Sequence, residues 1–373
     1  MSKPGMAVIV KPTYACNAAC TYCEVHKLGS LYKPMSEETY ELLNKKLSEH
    51  FKEITKDGKG AVTFYWLGGE PLMVSDEFYG FVGEVSEKSD FEISHAIQSN
   101  LIPLGYKDFS NLKALLKKYR KVKNKKKKSK HDFIMSTSAD PVSDARVLKN
   151  GKSYDEAFLK ALFKLRAEGA GYGAVYTVHS GSIGKAKEIY NYFKNLKFNA
   201  FNLNAMCDYS GKFSDKEFGM SPKDYGEFLC DMWDVWEKDN FKMQIIPFES
   251  WKKLRDTGDS SDLRCFNDGR CDKSLCAVGP NGDVYSCDRA MQAKQLPLGN
   301  IQNESFEEMF EKKYHQKRVF ELIQGACQGC EWWNFCKGSC PYESRGEYVG
   351  EFDKSYWCES YKMLFSHIHK EVS

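Results

Sequence analysis

Short β-rich runs alternate with amphipathic helical stretches over the first 205 residues of this 373-residue chain. Strands are predicted at Met6–Val10, Ala61–Trp66, Glu92–Gln98, Asp132–Thr137, Gly173–His179 and Ala200–Ala205. Helices are predicted at Ser36–Ile54, Asp76–Glu87, Asp108–Arg120, Tyr154–Glu168, Gly184–Leu196 and Ser221–Lys238. Strands that alternate with helices form a parallel sheet with helical crossovers, and such a sheet carries its chemistry at the carboxyl ends of the strands. The sequence therefore predicts an α/β fold that curls toward a barrel.

Three cysteines follow the first predicted strand with the spacing C-x3-C-x2-C, at Cys16, Cys20 and Cys23. Three thiolates can bind three irons of a cubic [4Fe–4S] cluster and leave the fourth iron open to a ligand that reacts. Zinc is the alternative, but a zinc site needs a fourth ligand, and His26 is the only nearby candidate. Disulfides are not expected, because the chain shows no export signal and is long enough to fold without them. The spacing favours an iron–sulfur cluster.

This motif, with Tyr22 just before its last cysteine, resembles the signature of the radical SAM enzymes. The resemblance implies a partial (β/α)6 barrel, S-adenosylmethionine on the open iron, and reductive cleavage of that cofactor to a 5′-deoxyadenosyl radical. It also implies that the Tyr22 backbone lies by the adenine. The run Gly68-Gly69-Glu70-Pro71 looks like the GGEP motif of the same family, which borders the amino group of the cofactor. Glycines allow a backbone to approach a ligand closely, so Gly68, Gly69 and Glu70 are predicted to bind the cofactor.

Two further cofactor contacts are implied by the resemblance. The stretch from Ser136 to Pro141 is similar to the family's Ser-x-Asp-Gly-Pro segment, whose serine helps hold the cofactor. Ser136 is favoured slightly over Ser138 for that role. Arg146 stands five residues before Gly151, as in the segment whose arginine meets the cofactor carboxylate, and a guanidinium pairs well with a carboxylate. A surface ion pair is the other interpretation of Arg146.

The cysteines near the carboxyl end of the chain form a second pattern, C-x2-C-x5-C-x3-C, with further cysteines on either side. The pattern resembles the SPASM domain, the accessory module of radical SAM enzymes that modify peptides and proteins, in which two more [4Fe–4S] clusters bind. By resemblance the first auxiliary cluster would use Cys265, Cys271, Cys287 and Cys340. The second would use Cys327, Cys330, Cys336 and Cys358. Cys276 could replace Cys271, and zinc ribbons are the alternative for the whole region.

Asp288 directly follows Cys287. In the anaerobic sulfatase-maturating branch of the SPASM enzymes, an aspartate at this position is the proposed base that deprotonates the substrate. A carboxylate near buried clusters could do such work. An acidic residue in a turn equally often only orients the neighbouring backbone.

Composition sets the remaining expectations. The formal charge of +3 is too small to indicate nucleic-acid binding. No apolar run is long enough for a membrane span, so a cytoplasmic protein is predicted. The lysine-rich stretch at 117–130 is read as a solvated loop or, alternatively, as a docking strip for an acidic peptide. Predicted domains are a radical SAM barrel at 1–240, a linker at 241–262, a SPASM domain at 263–365 and a tail at 366–373.

The combined pattern predicts a radical SAM oxidoreductase with three [4Fe–4S] clusters, acting on a peptide or protein with electrons from a donor such as flavodoxin or ferredoxin. By resemblance the sulfatase-maturating branch carries glutamine before GGEP, glycine at the end of a Gln-Thr-Asn-Gly run after the third strand, and an aromatic residue after the cysteine motif. This chain has Leu67, Leu101 and Glu24 at those positions. These departures favour a maturase that forms a C–C or thioether crosslink within a ribosomal precursor peptide. Only fifteen residues precede Cys16, so a leader-binding domain would be a separate protein. A sulfatase-maturating enzyme that oxidises cysteine or serine to formylglycine, and a SPASM-type alcohol dehydrogenase acting on small molecules, remain alternatives.

Overall fold

The computed structural model describes most of the chain. The described residues are 4–23, 25, 32–55, 57–118, 133–167, 172–206, 218–263, 274–294, 297–312, 322, 325–343 and 354–370. Two of the predicted cluster ligands, Cys265 and Cys271, lie outside the described residues, as do His26, Glu24 and most of the lysine-rich stretch.

The described strands and helices follow the predicted alternation. The strands are β1 Gly5–Val10, β2 Ala61–Trp66, β3 Glu92–Ser99, β4 Phe133–Ser138, β5 Tyr172–Val178, β6 Ala200–Ala205, β7 Gln244–Ile246, β8 Leu275–Val278, β9 Asp283–Tyr285 and β10 Pro297–Asn300. The helices are α1 Glu37–Ile54, α2 Asp76–Lys88, α3 Ser110–Lys118, α4 Tyr154–Ala167, α5 Ala186–Asn195, α6 Pro222–Lys238, α7 Phe248–Thr257, α8 Asp288–Ala293, α9 Phe306–Glu311, α10 Trp333–Cys336 and α11 Cys358–Lys370. The predicted α/β class is confirmed.

The chain divides into two compact units. The first consists of Met1–Ser138, Ala145–Tyr172 and Ser274–Lys313, and the second of Ala139–Asp144, Gly173–Lys273 and Tyr314–Ser373. The linear domain division made from the sequence stays a prediction.

The first unit contains a sheet in the order β10-β9-β8-β1-β2-β3-β4. Pairing is parallel from β8 through β1 and β2 to β4, and antiparallel between β8, β9 and β10. No strand was predicted at β8, β9 or β10, since elements of three or four residues are too short to show a hydrophobic period. Because β8 joins the edge of β1, the segment after β8 lies beside the chain that leaves β1.

Local capping and aromatic packing fix the elements around this sheet. The hydroxyl of Ser36 accepts a hydrogen bond from the Thr39 N–H and begins α1, as the sequence predicts. Beneath α1, the buried rings of Tyr40, Phe64, Trp66 and Phe78 contact one another with centroids 5.4–6.1 Å apart. This packing holds β2 rigid just before the glycine pair at its carboxyl end.

The second unit contains parallel strands β5, β6 and β7 and a helical pair, α6 and α11. Ser221 and Asp224 form a capping box at the start of α6. Trp233, Trp236, Phe248 and Trp251 pack as a buried aromatic cluster next to α11. Within the described part of the chain, no helix combines the length and the apolar character that a membrane span requires.

Candidate functional site

The cysteine loop follows β1 and pairs with the connection between β4 and α4. The N–H groups of Ala19 and Thr21 donate to the carbonyls of Val147 and Ala145, at 2.9 Å each. Ala18 and Leu148 form an isolated antiparallel bridge. The loop is therefore held along the segment 145–148, which places Arg146 beside it.

The three thiols of this loop lie in low-polarity surroundings. Burial raises the pKa of Cys16 to about 12, and it also raises the pKa of Cys20. Cys23 packs against a buried cluster that includes Tyr14, Val25 and Met291. Among the described residues, no three cysteine, histidine or acidic side chains form a site for a single metal ion. A cubic cluster makes a different demand, because each thiolate binds its own iron.

The glycine pair after β2 is pressed against the backbone that leads into the cysteine loop. A Cβ on Gly68, which has φ +139°, would lie 2.3 Å from the Thr13 carbonyl oxygen. A Cβ on Gly69 would lie 2.3 Å from the carbonyl oxygen of Tyr14 and 2.4 Å from that of Ala15. All three distances are far below van der Waals contact, so only glycine fits at either position. The pair thus positions the cysteine loop in addition to its predicted part in binding the cofactor.

The Glu70 carboxylate connects this turn to the end of β3. Its Oε1 accepts from the Ser99 hydroxyl at 2.7 Å and from the Leu72 N–H at 3.0 Å, and its Oε2 accepts from the Asn100 N–H at 2.7 Å. The residue is 1% exposed, and burial raises its pKa to about 7. These contacts give Glu70 a structural role, and its predicted contact with the cofactor stays a prediction.

We expect Glu70→Gln to destabilise the protein by about 1–3 kcal/mol, because the new amide group would face the Asn100 N–H without an acceptor. The loss of stability caused by Glu70→Gln should depend on pH. Since the folded-state pKa of Glu70 lies above its unfolded value, its contribution is complete below the unfolded pKa and is lost as the pH rises through about 7. The gap between wild-type and variant melting temperatures should therefore be larger near pH ~6 than near pH ~8. Glu84→Gln, at an exposed position on α2, is the matched control. An equal gap at both pH values would contradict this assignment.

Arg146 lies beside the cysteine loop between two tyrosine rings. Its Nη1 donates to the Tyr154 hydroxyl at 2.8 Å, and its guanidinium carbon is 5.8 Å from the Tyr22 ring centroid. Burial disfavours its charge, but Tyr154, Tyr22 and Cys20 together raise the pKa of Arg146. Its Nε is buried without a hydrogen-bond partner among the described residues, as is the Nδ2 of Asn17. Unsatisfied buried donors beside the loop fit a bound ligand that carries a carboxylate.

The two candidate serines lie on the same face of β4. The Ser136 hydroxyl donates to the Ile97 carbonyl at 3.3 Å, whereas Ser138 accepts from the Gln98 side chain at 3.0 Å. Ser138 is closer to the carboxyl end of the strand. Neither contact tests which serine holds the cofactor, so Ser136 stays a prediction.

Leu101 occupies the position where the sulfatase-maturating branch carries glycine. Its φ is +63°, in the left-handed region that glycine adopts readily and leucine rarely does. The Leu101 N–H donates to the Ser99 hydroxyl at 2.8 Å, and the Leu101 side chain is fully buried. The turn after β3 therefore has a glycine-type conformation despite the substitution.

Asn17 and Asn100 link the cysteine loop to that turn, which the sequence analysis did not anticipate. The Asn100 side-chain amide donates to Asn17 Oδ1 at 2.7 Å, while the Asn100 backbone N–H is held by Glu70. The available signal was an asparagine in each of two segments that follow predicted strands.

Lys11 is a buried charged residue beside Asp288 that the sequence analysis did not single out. It is 1% exposed, and its Nζ lies 2.7 Å from Oδ1 of Asp288. A lysine directly after an apolar strand and before a cysteine motif was visible in the sequence. Its burial was not visible there. Asp288 begins α8, and its Oδ2 accepts from the Gln292 side chain at 2.6 Å.

Two more cysteines of the first unit are described. Cys287 caps α8, where its sulfur accepts from the Ala290 N–H at 3.5 Å. Cys276 lies inside β8 opposite Val8 and is fully buried. Of the predicted first auxiliary set, Cys287 belongs to the first unit and Cys340 to the second. That ligand set stays a prediction.

The four cysteines predicted for the second auxiliary cluster are all described in the second unit. Burial raises the pKa of Cys336, and the neighbouring thiols of Cys358 and Cys327 add to the effect. Burial likewise raises the pKa of Cys358 against opposing lysines, with Cys330 nearby. The pKa of Cys336 responds to Cys358 and Cys327, and that of Cys358 responds to Cys330, so each of these pairs lies within electrostatic range. Such a group of half-buried thiols fits a cluster that binds them as thiolates.

Comparisons with known proteins support the predicted SPASM domain and show similar proteins. Residues 265–341 match the SPASM iron–sulfur cluster-binding domain. The chain is 25% identical to the cysteine-type anaerobic sulfatase-maturating enzyme of Clostridium perfringens, over 98% of this chain and 96% of that protein. It is also 25% identical to the serine-type enzyme of Bacteroides thetaiotaomicron, over 98% of this chain and 90% of that protein.

Solved structures show the same fold. The structure described as native anSMEcpe with bound AdoMet and Cp18Cys peptide matches with a TM-score of 0.81 and 24% identity, over 99% of this chain and 98% of that one. Streptococcus suis SuiB bound to its precursor peptide SuiA matches with a TM-score of 0.60 and 14% identity, over 94% and 76% of the two chains. The predicted combination of a radical SAM fold with a SPASM domain is confirmed.

Proposed function

We propose that this radical SAM enzyme with a C-terminal SPASM domain oxidises a cysteine or serine side chain of a protein substrate to formylglycine. The observation that carries the proposal is the nearly full-length similarity to anaerobic sulfatase-maturating enzymes. The cysteine-type and serine-type relatives are equally similar at 25% identity, so both substrate residues are retained.

The position of Asp288 supports the same activity. Asp288 follows the predicted ligand Cys287, lies in the same compact unit as the cysteine loop, and has a side chain that is 26% exposed. A carboxylate that is held in place and still partly accessible is suited to take a proton from a substrate.

The departures at Leu67 and Leu101 weigh less than the sequence alone suggests. At Leu101 the backbone keeps the left-handed turn that the family's glycine would form. At Leu67 the N–H donates to the Val10 carbonyl at 2.9 Å, a backbone contact that does not depend on the side chain. The substitutions therefore leave the backbone around the glycine pair intact.

The residues divide into those that hold the cofactors and one that handles the proton. Cys16, Cys20 and Cys23 would hold the radical cluster. Tyr22, Gly68, Gly69, Glu70, Ser136 and Arg146 would hold S-adenosylmethionine. The SPASM cysteines would hold two further clusters, with Cys271, or Cys276 in its place, among the ligands of the first. When bound, the cofactor supplies a 5′-deoxyadenosyl radical that removes one hydrogen atom from the substrate carbon.

The electron and proton balance assigns a task to Asp288. A cysteine side chain that becomes a thioaldehyde loses one hydrogen atom, one proton and one electron. Asp288 takes the proton, and the electron passes to a one-electron acceptor of the iron–sulfur type. Water then converts the thioaldehyde to the aldehyde and releases sulfide. An external flavodoxin or ferredoxin would supply the electrons that begin each turnover.

A precursor-peptide maturase that forms an intrapeptide crosslink is the second candidate. The structural likeness to SuiB bound to SuiA favours it, together with the substitutions at Leu67 and Leu101.

We expect anaerobically reconstituted protein, given dithionite and S-adenosylmethionine, to form an aldehyde on the Cp18Cys peptide or on its serine counterpart. Mass spectrometry after hydrazine tagging detects the aldehyde, and released sulfide marks the cysteine reaction. Asp288→Asn should lower the yield of aldehyde by about 100-fold, the usual contribution of a general base. It should leave cofactor cleavage without peptide unchanged.

The alternatives give different products. A crosslinked peptide without aldehyde would support the second candidate, and turnover of a small alcohol alone would indicate a dehydrogenase. Full aldehyde formation by Asp288→Asn would reduce Asp288 to a structural turn residue.

A further inference from the structure

The ammonium group of Lys11 is buried, which is unusual for a lysine. The residue is 1% exposed, and its charge is compensated by Asp288, 2.7 Å from Nζ. Lysines are almost never buried this fully unless they are paired, because an isolated ammonium loses its hydration. Forming this buried ion pair therefore costs a desolvation free energy that a surface ion pair would not cost, so its presence needs an explanation.

The main chain fixes where this ammonium can be. The Lys11 N–H donates to the Val278 carbonyl at 2.9 Å and extends the parallel pairing of β1 with β8. Pro12 follows and restricts the backbone further. The ammonium also lies 5.9 Å from the Tyr14 ring centroid. Because the pairing of β1 with β8 fixes the backbone at Lys11, it also restricts where the ammonium group can lie.

Asp288 is held from two sides but is not enclosed. Lys11 contacts Oδ1, and the Gln292 side chain donates to Oδ2 at 2.6 Å. The Asp288 side chain is 26% exposed, whereas that of Lys11 is 2% exposed. The Oδ1 atom that faces Lys11 is itself buried, so a substrate could meet Asp288 only through the rest of this side chain, and it cannot reach the ammonium. Asp288 is the group that the Lys11 ammonium contacts most directly, at 2.7 Å, and so offers the route by which Lys11 would affect the reaction.

We propose that Lys11 is a positioning residue that fixes the Asp288 carboxylate for proton transfer. The inference rests on the proposed function, because it takes Asp288 as the base in the oxidation of a peptide. The alternative is that Lys11 has a structural role and that Asp288 serves only to neutralise its charge. The two cases differ in what happens when both residues are replaced.

The test compares Lys11→Met, Asp288→Asn and the double variant, each reconstituted anaerobically and given the Cp18Cys peptide. Lys11→Met should lower kcat for aldehyde formation by about tenfold or more, with KM unchanged within about twofold. Deoxyadenosine formation without peptide should stay within about twofold of wild type. On the Asp288→Asn background, Lys11→Met should cause no further loss, because a residue that acts through Asp288 has nothing left to position.

Lys52→Met is the matched control. Lys52 pairs with Asp90 at 3.3 Å, but both side chains are more than half exposed. Lys52→Met should therefore change neither kcat for aldehyde formation nor the effect of Asp288→Asn on it. Independent, multiplying losses in the double variant would overturn the inference. Wild-type kcat in Lys11→Met would overturn it as well.

Gln292→Leu tests the same point without disturbing the buried charge pair, in case Lys11→Met does not fold. If Lys11 is the positioning residue, Gln292→Leu should reduce kcat by no more than about threefold. A loss as large as that of Asp288→Asn would assign the positioning to Gln292 and overturn the inference.

A crystal structure separates this inference from the proposed function. If wild-type protein oxidises neither the cysteine nor the serine peptide, the proposed function fails. The orientation of the Asp288 carboxylate in Lys11→Met, or in Lys11→Gln if the methionine variant does not fold, then decides the positioning. A reoriented carboxylate supports the role of Lys11, and an unchanged one overturns it.

Discussion

A variant with alanine at Cys16, Cys20 and Cys23 is expected to lose all cleavage of S-adenosylmethionine while it keeps about two-thirds of the iron. The three cysteines lie on one loop after β1, and no SPASM cysteine belongs to that loop. Removing them should eliminate one of three predicted clusters and leave the other two. Iron and sulfide content, measured beside deoxyadenosine production, checks both parts of the expectation.

Two outcomes would contradict this assignment. Deoxyadenosine above the background of an enzyme-free reaction would mean that the cofactor is cleaved at another cluster. Loss of all iron would mean that the loop is needed for the whole fold, and cluster content would then have to be assigned by spectroscopy of single-cysteine variants. Cys230→Ala is the matched control, because Cys230 lies on α6 and belongs to none of the predicted ligand sets.

Gly69→Ala is expected to reduce cofactor cleavage by about 100-fold, the cost of displacing reacting groups by about 1 Å. The added Cβ would lie 2.3 Å from the Tyr14 carbonyl oxygen and 2.4 Å from that of Ala15. Both atoms belong to rigid backbone directly before Cys16, so the cysteine loop has to move. Gly69 has no left-handed φ, and the effect is therefore steric rather than conformational. Steady-state deoxyadenosine formation and the melting temperature together separate displacement from unfolding.

Gly105→Ala is the control for this substitution. A Cβ at Gly105 meets no atom within 4 Å, and its φ lies outside the strained region. Wild-type cleavage by Gly69→Ala would show that the loop can yield without cost. The close approach of the glycine pair would then have no catalytic consequence.

Most of the fold was predictable because its signals are local. The strands at Ala61–Trp66 and Ala200–Ala205 have the predicted bounds, and the other four predicted strands differ by one residue at one or both ends. Hydrophobic periodicity identifies such elements because each repeats over several residues. The same method found no strand at β8, β9 or β10, which are too short for a period and form by pairing with β1 and with each other.

The candidate site was predictable where a motif is continuous in sequence. The spacing of Cys16, Cys20 and Cys23 along one loop is enough to predict their common role. The second cysteine pattern predicted the SPASM domain, which the comparisons confirm. Leu101 shows the limit of this approach. Its identity suggested a departure from the sulfatase-maturating branch, but its backbone has the glycine conformation because surrounding contacts impose it.

The sequence by itself determined the α/β class, the cysteine loop and the cysteine-rich domain, since periodicity and spacing are properties of neighbouring residues. Only the tertiary structure decided that Lys11 is buried against Asp288, that the glycine pair supports the cysteine loop, and that the Glu70 carboxylate is occupied by protein donors. The physical reason is burial. The role of a buried charge, or of a glycine in close contact with backbone, depends on the groups that surround it. Those groups come from distant parts of the chain.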